Sequence, residues 1–166
     1  MVKMILCMDL KGNIGRGNDL IFKMKEDMEF FKEQTMDNVV IMGFNTWVSI
    51  GERPLPNRMN IVMTTETINN ALTSTDLKGA IEYCKGLPYE DVFIIGGANI
   101  YKQVMKLDLV DEVLVTVVET EVEDATVRIN MNLFEEFIKQ LQIKEEIKTF
   151  ENEEGLEVTI YSMRKE

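Results

Sequence analysis

Apolar residues fall along this chain in short unbroken runs, separated by stretches with helical period. Val2–Leu10, Val39–Gly43, Asp91–Ile95 and Val110–Val118 read as strands buried on both faces. Residues 22–33, FKMKEDMEFFKE, behave differently: they are good helix formers with no Gly or Pro. At roughly 100° per residue, Lys25, Glu26, Glu29, Lys32 and Glu33 gather on one side. Met24, Met28, Phe30 and Phe31 gather on the other, which predicts a helix over about Lys25–Gln34. Asp27 falls inside the apolar stripe, between Phe30 and Phe31 on the wheel, and every other charge of 25–33 avoids it. Buried carboxylates are rare unless paired or at work. A first-turn acid also suits the helix dipole, so this helix alone leaves both readings open.

The remaining pattern extends the alternation. Lys11–Phe22 reads as a Gly/Asn-rich loop, Thr46–Ile50 as a short helical segment, and GERPLPNR as turns leading to a strand at Met59–Thr64. Thr75–Gly86 opens on Thr75-Asp76, good capping chemistry, and stops at Gly86. Gly96–Gly97 follow a strand directly and precede a helix over Ala98–Met105. A short helix near Asn132–Lys139 precedes a hairpin, Ile143–Phe150 with Leu156–Met163, around the turn Asn152–Gly155. Strands that alternate with helices predict one α/β domain over residues 1–166, with a central, mainly parallel sheet and an antiparallel strand added late. Ligands in such sheets bind beyond the strands' C-terminal ends. Gly43, Thr64, Gly96–Gly97 and the loop after the first strand all lie there.

Charge and composition narrow the chemistry. The net charge is −11, and no Lys/Arg cluster forms a basic face, so a nucleic-acid partner is not expected. A small anion is compatible if a few cations focus on it. With no histidine, His general bases, Ser-His and Cys-His pairs and His-ligated metals are all excluded, and no metal is expected. Cys7 and Cys84 lack metal-type spacing and read as small core residues in a reducing compartment. No apolar run is long enough to span a bilayer, and the N-terminal run reads as a strand rather than a signal peptide; a cytoplasmic monomer with no membrane partner is the expectation.

Two stretches carry motifs. IIGGANIY, 94–101, places two glycines between a buried strand and a helix, where backbone approaches closely and helix N–H groups favour phosphate. It lacks the full dinucleotide fingerprint spacing, so alone it is equally a tight turn. VVIMGFNTWVSIGERPLPNRMNIVMTT, 39–65, packs strand, Gly, short helix, Pro-bracketed loop and strand together. Thr46 offers a hydroxyl at a helix start, Trp47 reads as core, and Arg58 follows a rigid PLPN turn from which it can grip a carboxylate with two hydrogen bonds.

Five blocks together resemble dihydrofolate reductase: NIGRGNDL (13–20), MKEDMEFFKEQT (24–35), VIMGFNTWVSI (40–50), RPLPNRMNIV (53–62) and IIGGANIY (94–101). They stand in family order and spacing, and a weaker likeness reaches the closing hairpin. The resemblance implies an eight-stranded mixed, mainly parallel sheet flanked by helices and ending in an antiparallel hairpin. It implies NADPH-dependent reduction of 7,8-dihydrofolate to tetrahydrofolate, serving one-carbon metabolism. It makes Asp27 the acid of the pteridine pocket, with the Thr116 hydroxyl bonded to it and Leu20 over the reaction centre. Ile5, Leu6, Cys7, Met28, Phe31, Ile50, Leu55 and Ile95 would line the substrate pocket, and Arg58 would clamp the α-carboxylate of the glutamate tail. The cofactor would meet Cys7, Ile14, Gly15, Leu20, Gly43, Phe44, Asn45, Thr46, Met63, Thr64, Thr65, Ile95, Gly96, Gly97, Ala98, Asn99, Ile100, Tyr101 and Thr126. The Gly96–Gly97 peptide is cis in the family.

Three departures from the family pattern stand out. Ile21-Phe22 replace a usual Pro-Trp, and Phe22 has bulk but no donor. Phe44 and Thr75 stand where many relatives carry cations near the cofactor phosphates, so weaker discrimination between NADPH and NADH is expected. Asp124-Ala125 and Arg128 replace a usual Gly-Asp and an aromatic in the loop 119–130, which braces the active-site loop in some relatives. Two other readings stay open: a same-fold pyrimidine or pterin reductase, and a nucleotide-binding module without catalysis.

Overall fold

The computed structural model describes residues 1–166. Eight strands make one sheet: β1 (Val2–Asp9), β4 (Val39–Gly43), β5 (Met59–Met63), β6 (Leu72–Ser74), β7 (Val92–Ile94), β8 (Glu112–Val118), β10 (Ile143–Glu151) and β11 (Glu157–Arg164). Their spatial order is β10-β11-β8-β1-β7-β4-β5-β6. The six strands from β8 to β6 are mutually parallel, and β11 alone runs against them between β8 and β10. The mixed, mainly parallel sheet and closing hairpin are therefore as the sequence implies.

Alternation along the strands explains their unbroken apolar character. In β4, Val39 and Ile41 face one core, while Val40 and Met42 face the other. The larger core is covered by α3 (Leu77–Lys85), α4 (Ala98–Lys106) and α5 (Met131–Ile138). The smaller packs Ile5, Val40, Met42, Val62, Phe93 and Leu114 under Trp47 of α2 (Phe44–Ser49) and Phe30 and Phe31 of α1 (Lys25–Thr35). A strand sandwiched between helices has no polar face to show, and its sequence reads accordingly.

Local chemistry sets the helix ends. The Asp76 carboxylate accepts from Gly79 N at 3.0 Å, and the Asn130 amide oxygen accepts from Leu133 N at 3.1 Å. Each satisfies a first-turn N–H that has no partner within its helix.

Four details differ from the sequence reading. The segment 11–22 is not a plain loop. Its β2 (Asn13–Arg16) pairs with β3 (Asp19–Leu20) and β9 (Val127–Arg128) in a small antiparallel sheet. Those strands are two to four residues long, and Gly and Asn mask their period. The edge strand β6 was also unexpected, since it is three residues long and mostly exposed. The short helix begins at Phe44, directly after Gly43, rather than at Thr46. Met28, assigned to the apolar stripe of α1, is 60% exposed, whereas Met24 just before the helix is buried.

Candidate active site

β1 and β8 run side by side with Cys7 opposite Thr116, so both side chains lie on one face near the strands' C-terminal ends. α1 crosses that face. Met24, just before it, is buried with Val118 and Val158, and Cys7 and Phe22 pack on the same cluster. This anchoring brings the first turn of α1 over the sheet and aims Asp27 at Thr116. The Thr116 hydroxyl, on a buried residue, donates to Asp27 Oδ1 at 2.5 Å. Burial pushes the Asp27 carboxyl above its ordinary value, and the hydrogen bonds from Thr116 and Cys7 only partly offset this. Burial and the nearby Asp27 charge in turn push the Cys7 thiol well up, which keeps it protonated and unreactive. The result is a largely buried acid whose charged form is disfavoured, set against Cys7 and Thr116.

Phe31, Ile50, Leu55 and Ile95 are half-buried against the Trp47 core. Ile5 belongs to that core, whereas Leu6 points to the opposite one. Leu20 is 60% exposed on β3. Arg58 is partly buried; its Nε donates to Pro56 O at 2.9 Å and its Nη1 to Thr35 Oγ1 at 3.0 Å. No carboxylate lies within 4.0 Å of it, and burial lowers its pKa. A partly desolvated guanidinium held by neutral acceptors keeps its affinity for an incoming carboxylate.

Asn60 is a site-supporting residue that sequence reasoning missed. Buried at the start of β5, it accepts from Leu55 N at 2.9 Å and donates to the carbonyls of Leu55 and Arg58 at 3.0 and 2.9 Å. It thus fixes the turn that carries Arg58. The available signal was an amide inside the apolar run MNIVM.

A glycine cradle forms where β4 and β7 end. Gly43 N donates to Gly96 O at 2.8 Å, and the Gly96–Gly97 peptide is cis. A Cβ on Gly43 would sit 3.0 Å from Ile100 Cγ1. Gly96, at φ +125°, would place one 3.3 Å from Tyr101 Oη and 3.4 Å from Thr46 Oγ1. Only glycine combines that conformation with so close an approach. The Tyr101 hydroxyl donates to Ile5 O at 2.7 Å, and burial pushes the phenol well up, so it serves as a fixed donor. Thr46, Gly97 and Ala98 are half-buried at this rim with Phe44, while Asn45 and Asn99 are exposed. Met63, the last residue of β5, and Thr64 after it are half-buried, the Thr64 hydroxyl accepts from Glu66 N at 3.0 Å, and Thr65 is exposed.

The segment 9–17 is tied to 119–130 by a dense set of bonds. Asp9, fully buried, accepts from Lys11 N and Asn13 N (both 2.9 Å), Asn13 Nδ2 (2.8 Å) and Val122 N (2.7 Å). Burial alone would raise its carboxyl; the four donors outweigh this and hold it below its usual range. Thr126 is engaged here: its hydroxyl accepts from Gly17 N at 2.7 Å and its N–H donates to Gly15 O at 3.0 Å. Arg16 pairs with Asp124 at 2.7 Å. Ile14 and Gly15, in β2 of this ribbon, are buried.

Fold and site together define a small α/β domain with a largely buried acid where α1 meets β1 and β8 and a glycine-lined helix start at the ends of β4 and β7. The chain belongs to the dihydrofolate reductase family, whose model, described as dihydrofolate reductase, matches residues 1–162. A bifunctional dihydrofolate reductase-thymidylate synthase of Paramecium tetraurelia is 32% identical over 136 residues, 81% of this chain and 29% of that protein. The dihydrofolate reductase of Bacillus subtilis (strain 168) is 39% identical over 104 residues, covering 61% of this chain and 60% of the relative. The chain thus covers less than two thirds of the length of either relative. A dihydrofolate reductase from Enterococcus faecalis, complexed with NADP(H) and RAB-propyl, superposes with a TM-score of 0.75 at 25% identity, covering 100% of this chain and 97% of that one.

Proposed function

We propose that the chain is an NADPH-dependent dihydrofolate reductase in which Asp27 promotes protonation of the substrate nitrogen. The observation that carries this reading is the part-buried Thr116–Asp27 bond, together with the raised Asp27 carboxyl. Reduction of the substrate C=N bond needs a hydride on carbon and a proton on nitrogen. NADPH supplies the hydride when bound. The residues present fit that group: the Gly43 and Gly96 cradle leaves the space that Cβ atoms would fill, beside the first turn of α4.

The chain's own residues do the rest. Asp27 pairs with the amino-pyrimidine edge of the pterin and favours its protonated form. Thr116 holds the carboxylate in place. Phe31, Ile50, Leu55 and Met28 exclude water from the ring, with Ile5, Cys7 and Ile95 behind them, and Arg58 fixes the α-carboxylate of the tail; Leu6, on the opposite face of the sheet, takes no part. Leu20 and Ile14 cover the reacting face. Cys7 and Cys84 are both unpaired, which accords with work in a reducing compartment such as the cytoplasm. No helix is long and apolar enough to cross a membrane.

The test is nicotinamide absorbance with dihydrofolate, comparing wild type and Asp27→Asn across pH. Wild type turns over, and Asp27→Asn loses roughly a hundredfold or more, most strongly where the substrate is not already protonated. Inactivity of wild type with both NADPH and NADH removes the enzyme reading and leaves a nucleotide-binding module.

A further inference from the structure

A cavity of about 590 Å³ opens beside the first turn of α4, and of its nine lining residues only Ala98 and Asn99 are among those assigned to the cofactor. Three elements each bring one cation to its wall: Lys11 from the turn after β1, Lys102 from α4 and Arg128 from β9. The polar remainder is amide, from Asn99, Asn130 and Asn132, and no carboxylate lines it. The chain carries 29 acidic against 18 basic residues, so this pocket runs against the overall sign. Lys102 and Arg128 have no carboxylate within 4.0 Å, while Lys11 reaches only the exposed Glu121, at 3.7 Å. Unpaired cations around a concavity focus their field into it, and the natural complement is a compact anion of two or more charges. Helical side chains lean toward the N-terminus. Lys102, one turn after Ala98, therefore leans over the first turn of α4, whose free N–H groups add to the same potential.

We propose that this cavity is a binding site for a phosphate-class anion, a mono- or diphosphate group, with Lys11, Lys102 and Arg128 as its counter-charges. The anion is a free phosphate rather than one carried by the dinucleotide, because its three counter-charges all stand outside the set of residues assigned to the cofactor. Binding here needs no turnover, so it stands or falls separately from the reductase reading.

The experiment is calorimetric titration of inorganic pyrophosphate into the full chain, with and without saturating NADP+. Wild type binds one pyrophosphate. The double variant K102Q/R128Q binds it roughly fivefold to tenfold more weakly, and K85Q, on α3, binds it unchanged. Thermal melts of each variant check that the fold is kept. Binding that persists with NADP+ present assigns the site to free phosphate. Displacement by NADP+ overturns the proposal, since the anion would then only have occupied the cofactor's own phosphate position. Heat that does not saturate, or that the double variant leaves unchanged, overturns the proposal.

Discussion

Thr116 and Asp27, separated by 89 residues of sequence, are joined by a 2.5 Å hydrogen bond that sets the balance of the acid. Burial raises the Asp27 carboxyl, and the hydroxyl donor pulls it down because it favours the charged form. Thr116→Val keeps the shape and removes the donor. The carboxyl then rises further, and the limb of the kcat/KM profile that reports Asp27 moves to higher pH. Activity at neutral pH falls by about tenfold, the value of one hydrogen bond to a charged group. Thr116→Ser restores both the profile and the rate. A Thr116→Val profile that lies on that of wild type would show that the hydroxyl has no influence on the acid.

Arg58 is predicted to act on binding rather than on chemistry. Lysine cannot offer the planar fork that two-pronged carboxylate recognition needs, so Arg58→Lys raises KM for dihydrofolate by roughly tenfold with kcat little changed. Asn60→Leu has the same kinetic direction, because the turn bearing Leu55 and Arg58 loses its three bonds. It differs by costing about 2 kcal/mol of stability as well, from backbone groups left unpaired. Steady-state kinetics and denaturant unfolding of the two variants separate the roles. Equal loss of kcat in both would place Arg58 in the chemical step instead.

How much of this was readable from sequence depends on the range of each interaction. The long strands and α1 are legible because burial on both faces, or on one stripe, writes itself into ten or so adjacent residues. Asp27 shows up as a charge out of pattern on a well-defined wheel. The ribbon of β2, β3 and β9 is not legible, since its short strands are fixed by Asp9, Thr126 and Val122 rather than by periodicity. Asn60 and Asp9 escape for the same reason: each looks like one polar residue in or beside an apolar run, and only the fold reveals its partners. The family resemblance located Thr116, but from strand pattern alone it is one more β-branched residue.

Cofactor choice is predicted to be less strict than is usual for this family. Phe44 is half-buried at the start of α2 and Thr75 is exposed before α3, so neither presents positive charge to a ribose phosphate. Hydroxyls at Thr64 and Thr65 are neutral donors, worth less to a dianion than a cation. The kcat/KM ratio of NADPH to NADH is therefore small, and Phe44→Arg raises it about tenfold by improving NADPH alone. A large wild-type preference for NADPH sinks this expectation.

Asp9 should govern how stability depends on acid. Its folded-state pKa is depressed, so the carboxylate contributes stability that is fully present above its unfolded value of about 3.9 and is lost as pH falls through the lower folded value. Asp9→Asn replaces an acceptor by an amide that turns an NH₂ group toward some of the same four donors. The cost near neutral pH is about 2–3 kcal/mol, the range for removing charge-assisted bonds from a buried site. As pH falls through the lowered folded value wild type itself loses the charge, so the gap between the two proteins narrows. Urea unfolding at a series of pH values measures this directly. A gap that stays constant down to the lowest pH would mean that packing around Asp9, not its ionised form, holds segments 9–17 and 119–130 together.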